Sequence, residues 1–499
     1  MRAFTAVLTA LVLMQALSVA RAADTLYGAI AAYQKKEYST ALPILNRLAG
    51  QGNAAAQKIL GDMYANGEGS RQDYSQAAEF YKKACEGGQF AACASLGFMY
   101  DTAKGIKQDY SQAVMLYQRA CDSDIQMGCY NLALMYESGR GVSQNEVIAV
   151  ELLQKSCDGW YLKGCYRLGR KFESGRGVVQ DDVRSVDLYK KSCEGLVTEA
   201  CSSLGWMYEK GRGVKQDSKM AVELFQNACN DANARACVNL GFAYENGRGV
   251  PQDDATAVEL YRKSCDGGDD DGCVSLGWMY GKGRGVKQDY SKAVDIYQKA
   301  CDDGNARGCG NLGLAFEKGQ GIKQDQLKAV EAFQKSCDGG YDAGCTKLGT
   351  AYARGEGVKQ DFVKAAELFQ KSCDGGDAIG CSDLALVYAA GPGITQNYTK
   401  ALELSQKGCD GGKVINCYIL GMMYVSGKGV AQDFLKAVPF IQKSCDGGVA
   451  PGCTALGSMY LNGQGFPQSK ADALNYFGKA CDLKDQKGCS EYAKLNSGK

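Results

Sequence analysis

Two cysteines eight positions apart recur every 36 residues, twelve times in succession. The pairs are Cys85 with Cys93, Cys121 with Cys129, Cys157 with Cys165, Cys193 with Cys201, Cys229 with Cys237 and Cys265 with Cys273. They continue as Cys301 with Cys309, Cys337 with Cys345, Cys373 with Cys381, Cys409 with Cys417, Cys445 with Cys453 and Cys481 with Cys489. A fixed period of about 20 to 50 residues marks stacked supersecondary units, so the chain is restricted to a solenoid. All 24 cysteines fall into these local pairs. That pattern reads as a ladder of disulfides formed in an oxidising compartment. Metal binding is the rival reading, but each repeat offers two thiols and the chain has no histidine to complete a zinc site.

The ends of the chain differ from the array. Arg2, the mostly apolar run Ala3 to Leu17, and Ala20-Arg21-Ala22 form a signal-peptide pattern over residues 1–22. Residues 23–66 keep the repeat's helical spacing without its cysteines and read as an N-terminal capping repeat. The array runs over 67–482, and the polar segment 483–499 reads as a C-terminal capping helix. No later stretch approaches the length of about 18 apolar residues needed to span a bilayer. With 57 Lys and Arg against 56 Asp and Glu, the charge balance argues against nucleic acid as a partner. The expected mature chain is periplasmic or secreted, with no cofactor.

Within one repeat, Cys93, Leu96, Gly97 and Tyr100 lie on one helical face, and Tyr110, Ala113, Val114, Tyr117 and Cys121 on another. Between them stands a glycine turn, Gly-x-Gly in eleven repeats (Gly139-Arg140-Gly141, for example) and Ala103-Lys104-Gly105 in one. Each repeat is therefore a helix, a left-handed glycine cap and a second helix. The position of Asp109 is always Asp, Asn or Ser, residues that cap a helix start. The position of Gly97 is Gly, or Ala at Ala133 and Ala385. Glycine inside a helix costs about 1 kcal/mol, so its recurrence predicts close helix–helix approach.

The Leu96-Gly97-Phe98-Met99-Tyr100 core, the turn from Gly211 to Asp217 and the helix Ala221 to Phe225 resemble the Sel1-like repeat, a relative of the tetratricopeptide repeat. With the paired cysteines and the Lys335–Gly340 junction, the chain resembles the Helicobacter cysteine-rich proteins. The resemblance implies an all-α, α/α solenoid, a right-handed superhelix of about twelve disulfide-stapled helix pairs, secreted or periplasmic. It also implies either penicillin binding with weak β-lactam hydrolysis or a secreted factor sensed by a host.

The chemistry of a hydrolase is hard to find in the residues. No serine has a lysine three positions later, and neither Ser-Asp-Asn nor Lys-Thr-Gly occurs. Histidine-dependent triads and the histidine-ligated zinc of metallo-hydrolases are excluded by composition. No catalytic residue is assigned.

Binding is better represented. Two rows of the first helix lie off its core stripe: Asn131, Arg167, Ser203, Asn239, Ser275 and Asn311 in one, Arg170, Trp206, Phe242 and Trp278 in the other. Amides beside aromatics suit an extended peptide in a concave groove, although the aromatics also suit packing between repeats. A third row, Arg140, Arg176, Arg212, Arg248 and Arg284, suits an anionic partner. Pairing with Glu137, Glu173, Glu209 and Glu245, three residues before the first four of these arginines, offers a local alternative. The leading expectation is a peptide- or protein-binding scaffold, the partner being a cell-wall peptide or a host protein. A β-lactam-hydrolysing protein and a rigid envelope spacer are the alternatives.

Overall fold

The computed structural model describes residues 25–390 and 394–497, so the expected signal peptide lies outside the described residues. These contain 27 α-helices and no strand. Leu26–Gln34 and Tyr38–Gly50 come first, and twelve helix pairs follow, from Ala54–Asn66 with Tyr74–Glu86 to Ala450–Asn462 with Lys470–Asp482. Gln486–Asn496 closes the series. The described residues fall into two compact units, the first reaching Ala243 and including Gly247–Pro251, the second made of Tyr244–Asn246 and the described residues from Gln252 onward. Within each unit a helix packs mainly on the helices just before and after it, which makes each an all-α solenoid.

Local chemistry sets the helix boundaries. The second helix of all twelve pairs is capped by the expected Asp, Asn or Ser, whose side chain accepts from an amide in the first turn. The first helix ends on a left-handed residue, Gly139 at φ 69° and Gly283 at φ 68° for example. Ala103 adopts the same conformation at φ 56°. The second glycine of the turn has a different reason to be glycine. A methyl on Gly141 would stand 2.6 Å from the Tyr110 carbonyl oxygen, at the start of the preceding repeat's second helix. The cap explains the first glycine and inter-repeat contact explains the second.

In most repeats the mid-helix glycine meets an aromatic ring of its own repeat, and at Gly421 it meets Ile441 instead. A methyl on Gly97 would lie 2.8 Å from the Tyr117 ring, and one on Gly205 would lie 2.7 Å from Phe225. The predicted close approach is thus a ring pressed against bare backbone.

Twelve disulfides form in the expected register, with Cα–Cα distances of 4.4 to 4.8 Å. Cys93, Cys129, Cys165, Cys201, Cys237 and Cys273 each bond the cysteine eight residues earlier. So do Cys309, Cys345, Cys381, Cys417, Cys453 and Cys489. Each bond joins the end of one repeat's second helix to the first turn of the next repeat's first helix; Cys121 lies in Tyr110–Asp122 and Cys129 in Gln126–Ser138. A second joint accompanies them. Lys155, Lys191, Lys371, Lys407 and Lys443 each donate to the carbonyl of the cysteine 34 residues earlier, at 2.8 to 3.2 Å. The neighbouring Ser156, Ser192, Ser336 and Ser372 donate to carbonyls 30 residues earlier. Where both bonds form, at Lys155–Cys157, Lys191–Cys193 and Lys371–Cys373, the Lys-Ser-Cys triplet bonds a repeat to its predecessor, partly through the last helix turn, where exposed carbonyls need donors.

Candidate functional site

The proposed binding rows lie on the first helix of each pair, and the structure sorts them. Asn131, Ser203, Asn239 and Asn311 are half-buried and Phe242 is exposed, but Ser275 is buried. Ser275 is thus withdrawn from any surface. Asn239 lies 3.5 Å from Ser202 in a hydrogen bond between repeats. Arg167 and Arg170 share a depression with Arg140 and Arg176. Trp278 and Asn311 line another beside Leu314.

The arginine row is paired, but not with the glutamates three residues earlier. Each arginine reaches back one repeat. Arg140 binds Asp101 at 2.7 Å, Arg248 binds Glu209 at 2.9 Å and Arg284 binds Glu245 at 3.1 Å, all 39 residues away. Arg176, Arg212 and Arg284 also bind Glu146, Asp182 and Asp254 at 2.6 Å, 30 residues away. Arg212 lies over the Trp206 ring at 5.1 Å and Arg284 over Trp278 at 5.3 Å. These two tryptophans are the half-buried floors of guanidinium–carboxylate clusters, with one face already occupied. Rows that look independent in the sequence meet in single clusters.

A second feature was not legible as a site. In the second unit a depression of about 500 Å³ is lined by Asn311, Leu314, Tyr341, Lys347, Ile379, Asp383 and Leu386. Its floor is apolar, with Ile379 and Leu386 both nearly half exposed. Lys347 is held by Glu317 at 3.3 Å. Burial, reinforced by Asp377, pushes the Asp383 carboxyl above its ordinary value, against the pull of Arg354 and Lys347.

A family model for the Sel1 repeat matches twelve segments that together run almost without a break from residue 54 to 485. This chain is a Sel1 repeat protein. Its segments start at or close to a first helix, as in 90–124, 234–269 and 342–377. Among solved structures, a protective antigen of uropathogenic Escherichia coli with an SLR fold is 29% identical, covering 85% of this chain and 91% of its own, with a TM-score of 0.52. A Sel1 repeat protein of Oxalobacter formigenes is 26% identical over 61% of this chain and 88% of its own, at a TM-score of 0.45. Cysteine-rich protein B of Helicobacter pylori is 30% identical, over 26% of this chain and 95% of its own, at a TM-score of 0.22. No curated protein matches the sequence.

Several hydroxyl and amine groups in this Sel1 repeat protein serve the joints between repeats. Lys371 and Ser372 both donate to main-chain carbonyls. Thr346 lies 2.6 Å from Ser372 and donates to Asp377 at 2.7 Å, and Thr454 repeats the bond to Asp485 at 2.5 Å. Asp377 and Asp485 in turn accept amides of the helices they precede.

Asp383 gives a test of the depression's electrostatics. Its folded-state pKa lies above the ordinary 3.8, so its ionisation weakens the fold. The penalty is absent below the ordinary value and grows as pH rises through the raised one. Asp383→Asn is therefore expected to melt higher than wild type at neutral pH, with the difference closing in acid. Equal melting temperatures at every pH would contradict the assigned burial.

Proposed function

We propose that this Sel1 repeat protein is an extracytoplasmic scaffold that binds an extended peptide segment of a partner protein along its first-helix faces. Sel1 repeat proteins generally bind proteins, and twelve disulfides suit an oxidising compartment outside the cytoplasm. Residues 1–22 direct export in this reading, and residues 23–66 and 483–499 cap the array. No helix among the described residues is long and apolar enough to cross a membrane.

The observation that carries the proposal is the apolar floor of Leu314, Tyr341, Ile379 and Leu386, rimmed by Asn311, Lys347 and Asp383. An apolar side chain of the partner fills the floor, and the amide and charges fix the direction of its backbone. Selection of a random peptide library on the oxidised protein tests this. Enriched peptides are expected to bind wild type and to lose roughly tenfold or more in affinity for Leu386→Asp, because the floor then carries a charge. No enrichment, or binders indifferent to Leu386→Asp, would remove the site.

A further inference from the structure

The first helix of the fourth pair, Leu162–Ser174, departs from the pattern of the other repeats. The residue at the Lys171 position is Met, Ala or Val in every other repeat, from Met63 through Met135 and Met207 to Met459. The Lys171 side chain is buried, 9% exposed, where the repeat otherwise places core. Arg170 likewise stands in the row of Leu134, Trp206 and Trp278. A buried lysine among apolar positions lowers stability unless it is fully paired, and such local violations concentrate where a function requires them.

The pairing has a direction. Lys171 bridges Glu137 at 2.8 Å and Glu146 at 2.5 Å. Arg167 adds to Glu137 at 2.5 Å and Arg176 to Glu146 at 2.6 Å, while Arg140 takes Asp101. In each outer pair the acid lies beneath its base. Glu137 is 8% exposed under Arg167 at 40%, and Glu146 is 21% exposed under Arg176 at 64%. Burial pushes the Glu137 carboxyl up, but the hydrogen bonds from Arg167 and Lys171 outweigh it and hold the group below its ordinary value. Glu173, the other acid of the basin, accepts from Tyr189 and faces Arg212 of the next repeat. The Arg170 side chain is exposed and has no hydrogen-bond or ion-pair partner among the described residues. Five cations thus line one depression of about 540 Å³ whose carboxylates are already engaged, beside the apolar Leu134.

We infer that this basin captures a carboxylate-bearing segment of a partner protein, with a partner Asp, Glu or C-terminus on Arg170 and the outer arginines. An apolar neighbour of that carboxylate rests on Leu134. Guanidinium groups suit a carboxylate because they offer paired N–H donors in a planar fork. This deepens the scaffold reading by naming the partner's chemistry, but it rests on residues of the first unit alone.

Fluorescence polarisation with a labelled Ser-Glu-Leu-Glu-Leu-Gly peptide, and with its counterpart carrying Gln for Glu, both amidated at the C-terminus so that side-chain carboxylates alone differ, tests the inference. The acidic peptide is expected to bind in low salt, to weaken as salt screens the contact, and to bind more tightly than the Gln peptide. Arg170→Glu is expected to reduce its affinity at least about tenfold, the equivalent of one charge-assisted hydrogen bond. Lys219→Glu, which makes the same charge change at an exposed position on Ser218–Asn230, is expected to leave it unchanged. Equal loss in the two variants would reduce the effect to net charge and overturn the site. So would equal affinity for the two peptides, or no binding of the acidic one in low salt. Library peptides that depend on Leu386 while the acidic peptide fails would sink the basin alone.

Discussion

Reduction and alkylation of the cysteines should lower the melting midpoint by tens of degrees and leave a chain with little helix at body temperature. Each disulfide closes a small ring between cysteines eight residues apart, and rings of that size contribute about 2–3 kcal/mol in the chain-entropy model. In a solenoid each repeat relies on its neighbours for most of its buried surface, so loosening the joints acts on every interface at once. Thermal melts by far-UV circular dichroism, with and without reductant, measure the effect. Replacing one pair, Cys265→Ala with Cys273→Ala, should cost about 2–3 kcal/mol in a denaturant titration. A reduced protein that melts within a few degrees of the oxidised one would show that the hydrogen-bonded joints suffice.

The second large effect concerns the glycine under the ring. Gly97→Ala should destabilise by roughly 1–3 kcal/mol through overpacking, even though alanine is the better helix former. Tyr117→Leu should cost a similar amount by emptying the space the ring fills. The double variant should cost much less than the sum, because leucine makes room for the methyl. The chain already contains that solution: Ala133 is followed twenty residues later by Leu153, and Ala385 by Ser405, whereas Gly97, Gly169, Gly205 and Gly349 are followed by Tyr117, Tyr189, Phe225 and Phe369. Ala133 and Leu153 share one buried cluster. A double-mutant cycle by chemical denaturation checks this, with a coupling of about 1–2 kcal/mol expected between the two positions. Additive effects would mean that ring and glycine do not sense each other.

What could be read from the sequence was whatever repeats within one unit of 36 residues. Helix spacing, the capping residue at Asp109, the left-handed turn and the cysteine pairing are local, and local geometry decides them. Contacts between successive repeats were harder to read. Arg140 stands three residues from Glu137 in the chain, yet it binds Asp101, 39 residues back, because stacking sets that offset and no sequence period reports it. Ser275 looked like a groove residue but is buried. The second glycine of the turn looked like part of the cap, but it makes room for the neighbouring carbonyl. A clue to the basin was present: Lys171 breaks a row that is otherwise apolar. It becomes a site only once Glu137 and Glu146 are seen beneath the outer arginines.

The Lys-Ser-Cys joints differ in kind from the arginine clusters. An arginine that binds a glutamate needs that glutamate to be encoded in the neighbour, so the two must change together. Lys371 and Ser372 bind main-chain carbonyls, which every neighbour supplies whatever its side chains. At these joints, therefore, a block of 36 codons can be duplicated, deleted or exchanged without a matching side chain having to follow. As far as these joints decide, the array can lengthen or shorten by whole blocks, while the charged clusters tie particular blocks to particular neighbours.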